Sequence, residues 1–361
     1  MVDKLACKQD GEVLFPRELA YICAHIISRS NLTPVAVMAS LKSVRVIGFL
    51  KRMSSLSVTE KAQSKGIKML LVAVLCLGLN WPGMKLGLEI VGPVWMVCLR
   101  FLLSLPVLAL FVLITKKRLP VLNRKDRSVV FVVAFFQFIL SMGLITVSLQ
   151  YIPAGTASIL IYTTPLWMLL IDTLWYRQRP PSKRLILTGI STIGCAMILF
   201  ASGQPGAWLP LFGMLLASAL WAVAIRRVSF HKWKGSVIEA VFWQFTIAGF
   251  AMLAIALMVE PTPNFGAYDI SDWLLLAYIG PVATGLGFGL MVAAGPKLPP
   301  DKIVLISTLT PIVGYVSSVL LLKETLLPMV VAGAILMIAA LIVNGLPQST
   351  LKKMLGKGQA K

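Results

Sequence analysis

From Ile67 onward the chain alternates long apolar runs with short polar breaks, and this pattern predicts ten helices that cross a membrane. The runs cover residues 67–86, 93–114, 129–150, 154–174 and 185–201, then 208–224, 237–259, 273–294, 303–322 and 328–343. Each is close to the roughly 20 residues that span about 30 Å of hydrocarbon as a helix. None alternates polar and apolar over about ten residues as a barrel strand does, so helices must satisfy the backbone in lipid. The fold class that follows is an all-α polytopic membrane protein.

The runs fall into two related blocks. When Pro165 is laid on Pro311, Tyr162-Thr163-Thr164-Pro165-Leu166 meets Thr308-Leu309-Thr310-Pro311-Ile312, and Arg177-Gln178 meets Lys323-Glu324. Trp81 near the start of one block matches Trp221 in the other. Five crossings is an odd number, so the second block, 204–346, enters from the face opposite to the first, 67–203. The repeats are therefore inverted. Secondary transporters are built this way, because two halves that exchange slightly different conformations open a midplane site to one side and then to the other.

Composition narrows the class further. Of 361 residues, 58% are apolar and 13% charged, and the mean hydropathy is +0.85, which makes lipid the solvent. The formal charge of +20 would suggest nucleic acid in a soluble chain. Here the basic residues gather instead in alternate connections: Lys116 to Arg127, Arg177 to Arg184, Arg226 to Lys234, and Lys297 with Lys302. That distribution reports orientation and places both termini in the cytoplasm, with no nucleic-acid partner. The five cysteines are scattered without paired spacing and read as packing residues. Neither histidine, His25 or His231, stands near an intramembrane acid, so no metal and no cofactor is expected. A phosphate-binding loop of the G-x-x-x-x-G-K-[ST] type is absent, which excludes ATP-driven transport by this chain.

Residues 1–66 form a basic extension, and 347–361 a basic tail. Arg17, Glu18, His25 and Arg29 interrupt any secretory core there. The extension reads as disordered, or as lying on the membrane surface over 34–52, and Met53 is an alternative start.

Gly78-Leu79-Asn80-Trp81-Pro82-Gly83-Met84-Lys85, Pro93, Arg100-Phe101, Ala157-Ser158 and Thr164-Pro165 resemble the first half of an EamA-type member of the drug/metabolite transporter superfamily. Ala219-Leu220-Trp221-Ala222, Arg226-Arg227, Thr310-Pro311, Lys323-Glu324 and Gly333 resemble its second half. The resemblance covers about residues 65–345. It implies ten helices in two inverted five-helix repeats, residence in a bacterial inner membrane, and export of small metabolites such as amino acids or of toxic compounds. One departure concerns the end of the fourth helix, where the family commonly carries an acid. Gln178 stands there, while the second half keeps Glu324.

Candidate residues follow from the cost of polarity in lipid. Asn80 and Trp81 precede Pro82, which removes a backbone donor and is expected to bend or open the first helix. Arg100 lies two turns into the second helix and is expected to bind an anionic substrate group or to pair with Glu89. Lys85 either joins it or snorkels to the interface. Gln137, an amide inside the third helix, Tyr162, Thr308 and Trp221 complete the expected substrate contacts. Pro165 and Pro311 mark further helix breaks, whose freed carbonyls the neighbouring hydroxyls either repair or leave to a cavity. Asp172, the one acid deep in a run, either takes part in proton coupling or pairs with Arg177 and Arg179. Glu324 is the second coupling or gating acid.

A small-molecule substrate and the lipid bilayer are the partners expected, for a monomer or homodimer. Two rival functions share the helix count: a membrane transferase acting on lipid-linked substrates, and a passive channel. The transferase needs a soluble-side acidic loop, and only Glu260 to Asp272 offers clustered acids.

Overall fold

The structure is a computed structural model describing residues 8–9, 12–13, 58–203, 206–325 and 327–346. The segment 34–52 and the tail 347–361 lie outside the described residues. Lys8–Gln9 pairs antiparallel with Glu12–Val13, and the rest of the described secondary structure is helical. The helices are α1 (Val58–Gly87), α2 (Pro93–Lys116), α3 (Arg124–Leu149), α4 (Ala154–Trp175) and α5 (Ser182–Ser202). They continue as α6 (Trp208–Ser229), α7 (Val237–Val259), α8 (Ile270–Lys297), α9 (Lys302–Leu322) and α10 (Pro328–Gly345). Among the described residues nine are long and apolar enough to cross a membrane, and α10 is a shorter apolar helix.

The ten expected runs coincide with these ten helices, and the differences lie at their ends. Helix α1 starts at Val58, well before the expected position 67, and α3 starts at Arg124 instead of 129. Apolarity marks where hydrocarbon begins, whereas a helix continues into water for as long as its backbone bonds are favourable.

Two irregularities repeat between the halves. Helix α3 widens to π geometry over Ala134–Ser141, and its counterpart α8 does so over Tyr278–Leu286. Helix α4 tightens to a 3₁₀ turn at Ile161–Thr163 just before Pro165, while α9 is interrupted at Thr308, three residues before Pro311. Proline leaves an upstream carbonyl unpaired, and both helices change geometry there. The break expected at Pro82 does not occur: α1 is helical throughout Val58–Gly87. The turn upstream of Pro82 is clamped instead, because Gly78 sits so close to Val313 and the Thr310 carbonyl of α9 that a Cβ there would collide.

The packing interlocks the halves. Helix α1 packs on α8 and α9 of the second half, and α6, its counterpart, packs on α3 and α4 of the first. The equivalent helices α2 with α7, α4 with α9, and α5 with α10 pair across the axis. Each half thus completes the other, as an inverted repeat requires. Outward positions such as Leu110, Ile114, Phe131, Ile186, Phe200 and Leu209 are exposed and apolar, the surface that lipid covers.

Pairing across the axis is closest at α5 and α10. A Cβ on Gly194 would stand 2.6 Å from the Gly333 carbonyl, and one on Gly333 would stand 2.5 Å from the Gly194 carbonyl. Small residues let membrane helices approach to this distance. Gly333→Val is therefore expected to lower the stability of the purified protein by about 1–3 kcal/mol through overpacking. Thermal unfolding in detergent checks this, with Gly189→Val as the control, since a Cβ at Gly189 meets nothing within 4 Å.

Candidate functional site

Among the described residues one cation is enclosed within the bundle. Arg100 on α2 is 2% exposed, and its Nε and Nη2 donate to Thr284 Oγ1 at 3.3 and 3.2 Å. Its Nη1 faces the sulfurs of Met84 at 2.9 Å and Met142 at 3.4 Å. The π turn of α8 positions Thr284, whose hydroxyl donates to the Ile279 carbonyl five residues back and so turns its lone pairs toward the guanidinium. The expected pairing of Arg100 with Glu89 is not formed. Among the described residues no carboxylate pairs with Arg100; neutral dipoles and soft sulfur surround a full charge.

Rings pack beside it. Phe101 of α2, Phe138 of α3, Trp221 of α6, Phe245 of α7 and Phe288 of α8 meet at centroid distances of 4.8 to 6.1 Å. Five helices from both halves thus each contribute one aromatic. Gln137 is buried in the π segment of α3, next to Phe138. Asn80, 4% exposed and one turn before Met84, has a buried Oδ1 without a hydrogen-bond partner among the described residues, while Thr310 on α9 pairs with the Tyr162 hydroxyl of α4.

Other expected contacts have structural employment. Trp81 packs against α9, since a Cβ on Gly314 would stand 2.8 Å from its ring. The Thr308 hydroxyl donates to the Leu305 carbonyl at 2.6 Å, and Thr163 and Thr164 donate to the Leu160 and Ile161 carbonyls. These hydroxyls repair broken turns. Tyr162 lies in the 3₁₀ turn of α4, partly buried against the core.

The halves are tied at both ends of the bundle. At the end away from the basic connections, Lys85 Nζ donates to the carbonyls of Leu149, Gln150 and Ile152 at 2.5, 3.0 and 3.2 Å, capping α3. A cation at a helix C-terminus meets the negative end of its dipole. Lys85 is thus engaged by main-chain carbonyls in this structure. Beside it, Glu324 accepts from the first amides of α4, Ala154 at 2.5 Å and Gly155 at 2.9 Å. Burial raises the Glu324 carboxyl above its ordinary range, opposed by the Gly155 and Ala154 amides and by the charge of Lys85.

At the basic end Asp172 is buried in the π turn that closes α4, with Arg226 Nε at 2.5 Å and Arg184 Nη1 at 2.6 Å. The pairing expected with Arg177 and Arg179 is replaced by these two. Arg177 takes a left-handed turn (φ 51°) that folds the chain back and brings Arg184, in the first turn of α5, beside the acid. Arg226 also donates to Gln178 Oε1 at 3.3 Å and lies 4.3 Å over the Phe230 ring. Gln178 therefore fills the position that Glu324 holds in the other repeat, and Arg226 that of Lys85, one residue displaced. Arg226 was legible from the Trp81–Trp221 match, while Thr284, Met84 and Met142 carry no signal of their own.

Two inverted, interlocked five-helix halves closed around buried polar side chains define a membrane transporter. The chain belongs to the EamA-like transporter family, whose profile matches residues 64–200 and 208–346. It is 29% identical over 283 residues to a probable amino-acid metabolite efflux pump of Salmonella typhimurium, covering 76% of this chain and 92% of that one. A protein of the same description from Escherichia coli is 25% identical over 293 residues, covering 78% and 95%. A crystal structure matches with a TM-score of 0.51 at 17% identity, over 80% of this chain and 98% of its own, a likeness of fold.

Removing one partner of the buried cluster leaves charge uncompensated. Asp172→Asn is expected to cost about 3–5 kcal/mol, and the double variant with Arg226→Gln to recover part of that loss. Thermal unfolding of the four proteins of the cycle measures the coupling.

Proposed function

We propose that this transporter exports small organic metabolites bearing a carboxylate, amino acids among them, by alternating access between its two halves. One observation carries the reading: Arg100 is enclosed within the bundle, two turns into α2, with no carboxylate partner among the described residues. A buried charge without a counterion is costly, and a substrate carboxylate supplies one. Asn80 Oδ1, an acceptor one turn away from Met84, suits a donor on the same substrate, and the aromatic cluster suits its apolar part. Gln137, Tyr162 and Trp221 complete the lining.

The ties at the two ends act as gates. Loosening the contacts of Lys85 and Glu324 opens one side, and loosening those of Asp172, Arg184 and Arg226 opens the other. Efflux is supported by the two relatives described as efflux pumps. The charge distribution supports cytoplasmic termini, with Arg226 at the inner gate.

Counterflow into vesicles holding the purified chain tests the site. Arg100→Ala is expected to reduce exchange of labelled amino acids about ten- to hundredfold, the weight of a charged hydrogen bond, with the protein still monodisperse. Exchange at the native rate, or equal exchange of an amino acid and its amide, overturns the assignment.

Glu324 supports proton coupling. Its carboxyl, raised by burial, takes up a proton at a higher pH than an ordinary carboxyl, and the neutral form binds the α4 amides more weakly. Lys85, Tyr315 and Glu89 are the charged or titratable groups around that end. Exchange is expected to rise as pH falls toward the raised value, and Glu324→Gln to flatten that profile. An unchanged profile in the variant removes Glu324 from coupling.

A further inference from the structure

A second basic feature lies apart from Arg100. Where α2 leaves the bundle and α7 enters it, Lys116, Arg118, Val121, Asn123, Lys234 and Ser236 line a cavity of about 340 Å³, with Glu239 at its base. That volume falls within the roughly 300–1,000 Å³ of small-ligand sites. Glu239 is buried and already engaged: Arg118 Nη2 lies 3.1 Å from it, and the Val121 amide donates at 3.2 Å. Lys116 and Lys234 have no ion-pair partner among the described residues. Ser236, which precedes the first turn of α7, makes no capping bond with its side chain, and the Lys234 and Gly235 amides donate to Asp126.

The cavity's surroundings are apolar. Leu113 and Ile114, on the turn of α2 before Lys116, are exposed, Ile114 at 71%, and so are Leu119, Val121 and Val237. A basic hollow beside exposed aliphatic side chains at the end of a spanning helix lies where headgroup meets hydrocarbon. A soluble anion has no use for the apolar rim.

We propose that this cavity binds the phosphate headgroup of an anionic phospholipid, with Lys116 and Lys234 on the phosphate and the acyl chains along the exposed face of α2. Arg118 stays with Glu239 and closes the floor. Basic pockets between spanning helices collect such headgroups by the same charge attraction. Each lysine near the surface contributes about fivefold in affinity.

The test titrates the full chain in detergent with dioleoyl phosphatidylglycerol, dioleoyl phosphatidylcholine or free glycerol phosphate, reading thermal stability and lipid retained by native mass spectrometry. Phosphatidylglycerol is expected to bind and stabilise, and the other two not. Lys116→Gln with Lys234→Gln should weaken that binding about 25-fold, while Arg124→Gln with Lys125→Gln, equal in charge but outside the cavity lining, leaves it unchanged. If the double variant does not fold, each single variant should show its own fivefold loss. Equal binding of the two lipids, native affinity in the cavity variants, or a matching loss in the Arg124/Lys125 control overturns the site. A shift with glycerol phosphate equal to that with the lipid overturns the lipid as occupant in favour of a soluble phosphate.

Discussion

Hydrocarbon offers no water to a helix end, and this constraint organises the bundle. The interior of a helix satisfies itself, but its first amides and last carbonyls need partners from elsewhere. Here those partners come from distant parts of the chain. Lys85 takes the last carbonyls of α3, Glu324 the first amides of α4, and Glu260 those of Val94 and Trp95 at the start of α2. Both carboxylates reach from one half into the other, so there capping a helix and joining the halves are the same act.

The same economy holds inside the bundle, where irregular turns have specific uses. The wide turn of α8 lets Thr284 satisfy itself on Ile279 while facing Arg100. The tight turn of α4 is closed by Thr163 and Thr164, which also meet Ser218 of α6. Departures from α geometry thus mark where the halves touch and where polarity is concentrated. Rings from five helices pack together beside the guanidinium, Phe101 lying 5.5 Å from it.

Much of this was readable from residues. Ten apolar runs became ten helices because the cost of exposed backbone in lipid leaves runs of this length and uniformity no other form, and the Thr-Pro correspondence between Pro165 and Pro311 disclosed the duplication. Arg100 stood out because a charge two turns into a span must face protein. Partners were less legible. Asp172 pairs with Arg184 and Arg226, not with its near neighbours, because the left-handed turn at Arg177 redirects the chain. Lys85 is satisfied by carbonyls, which every residue possesses and no sequence pattern advertises. Pro82 failed as a break because the fit of Gly78 against α9 is a property of the packed bundle.

The two ends differ in what they are tied to. Lys85 and Glu324 grip only main-chain atoms of residues 149–155. The grip itself asks for no particular side chain there, but Leu149, Ile152 and Ala154 are buried in the core, and at Gly155 a Cβ would stand 2.9 Å from Glu324 Oε2. The basic end is held by side chain on side chain, and a change at Asp172 needs an answering change at Arg184 or Arg226. Variation at one mouth is therefore limited by how the backbone is packed, while at the other charged side chains must change in concert.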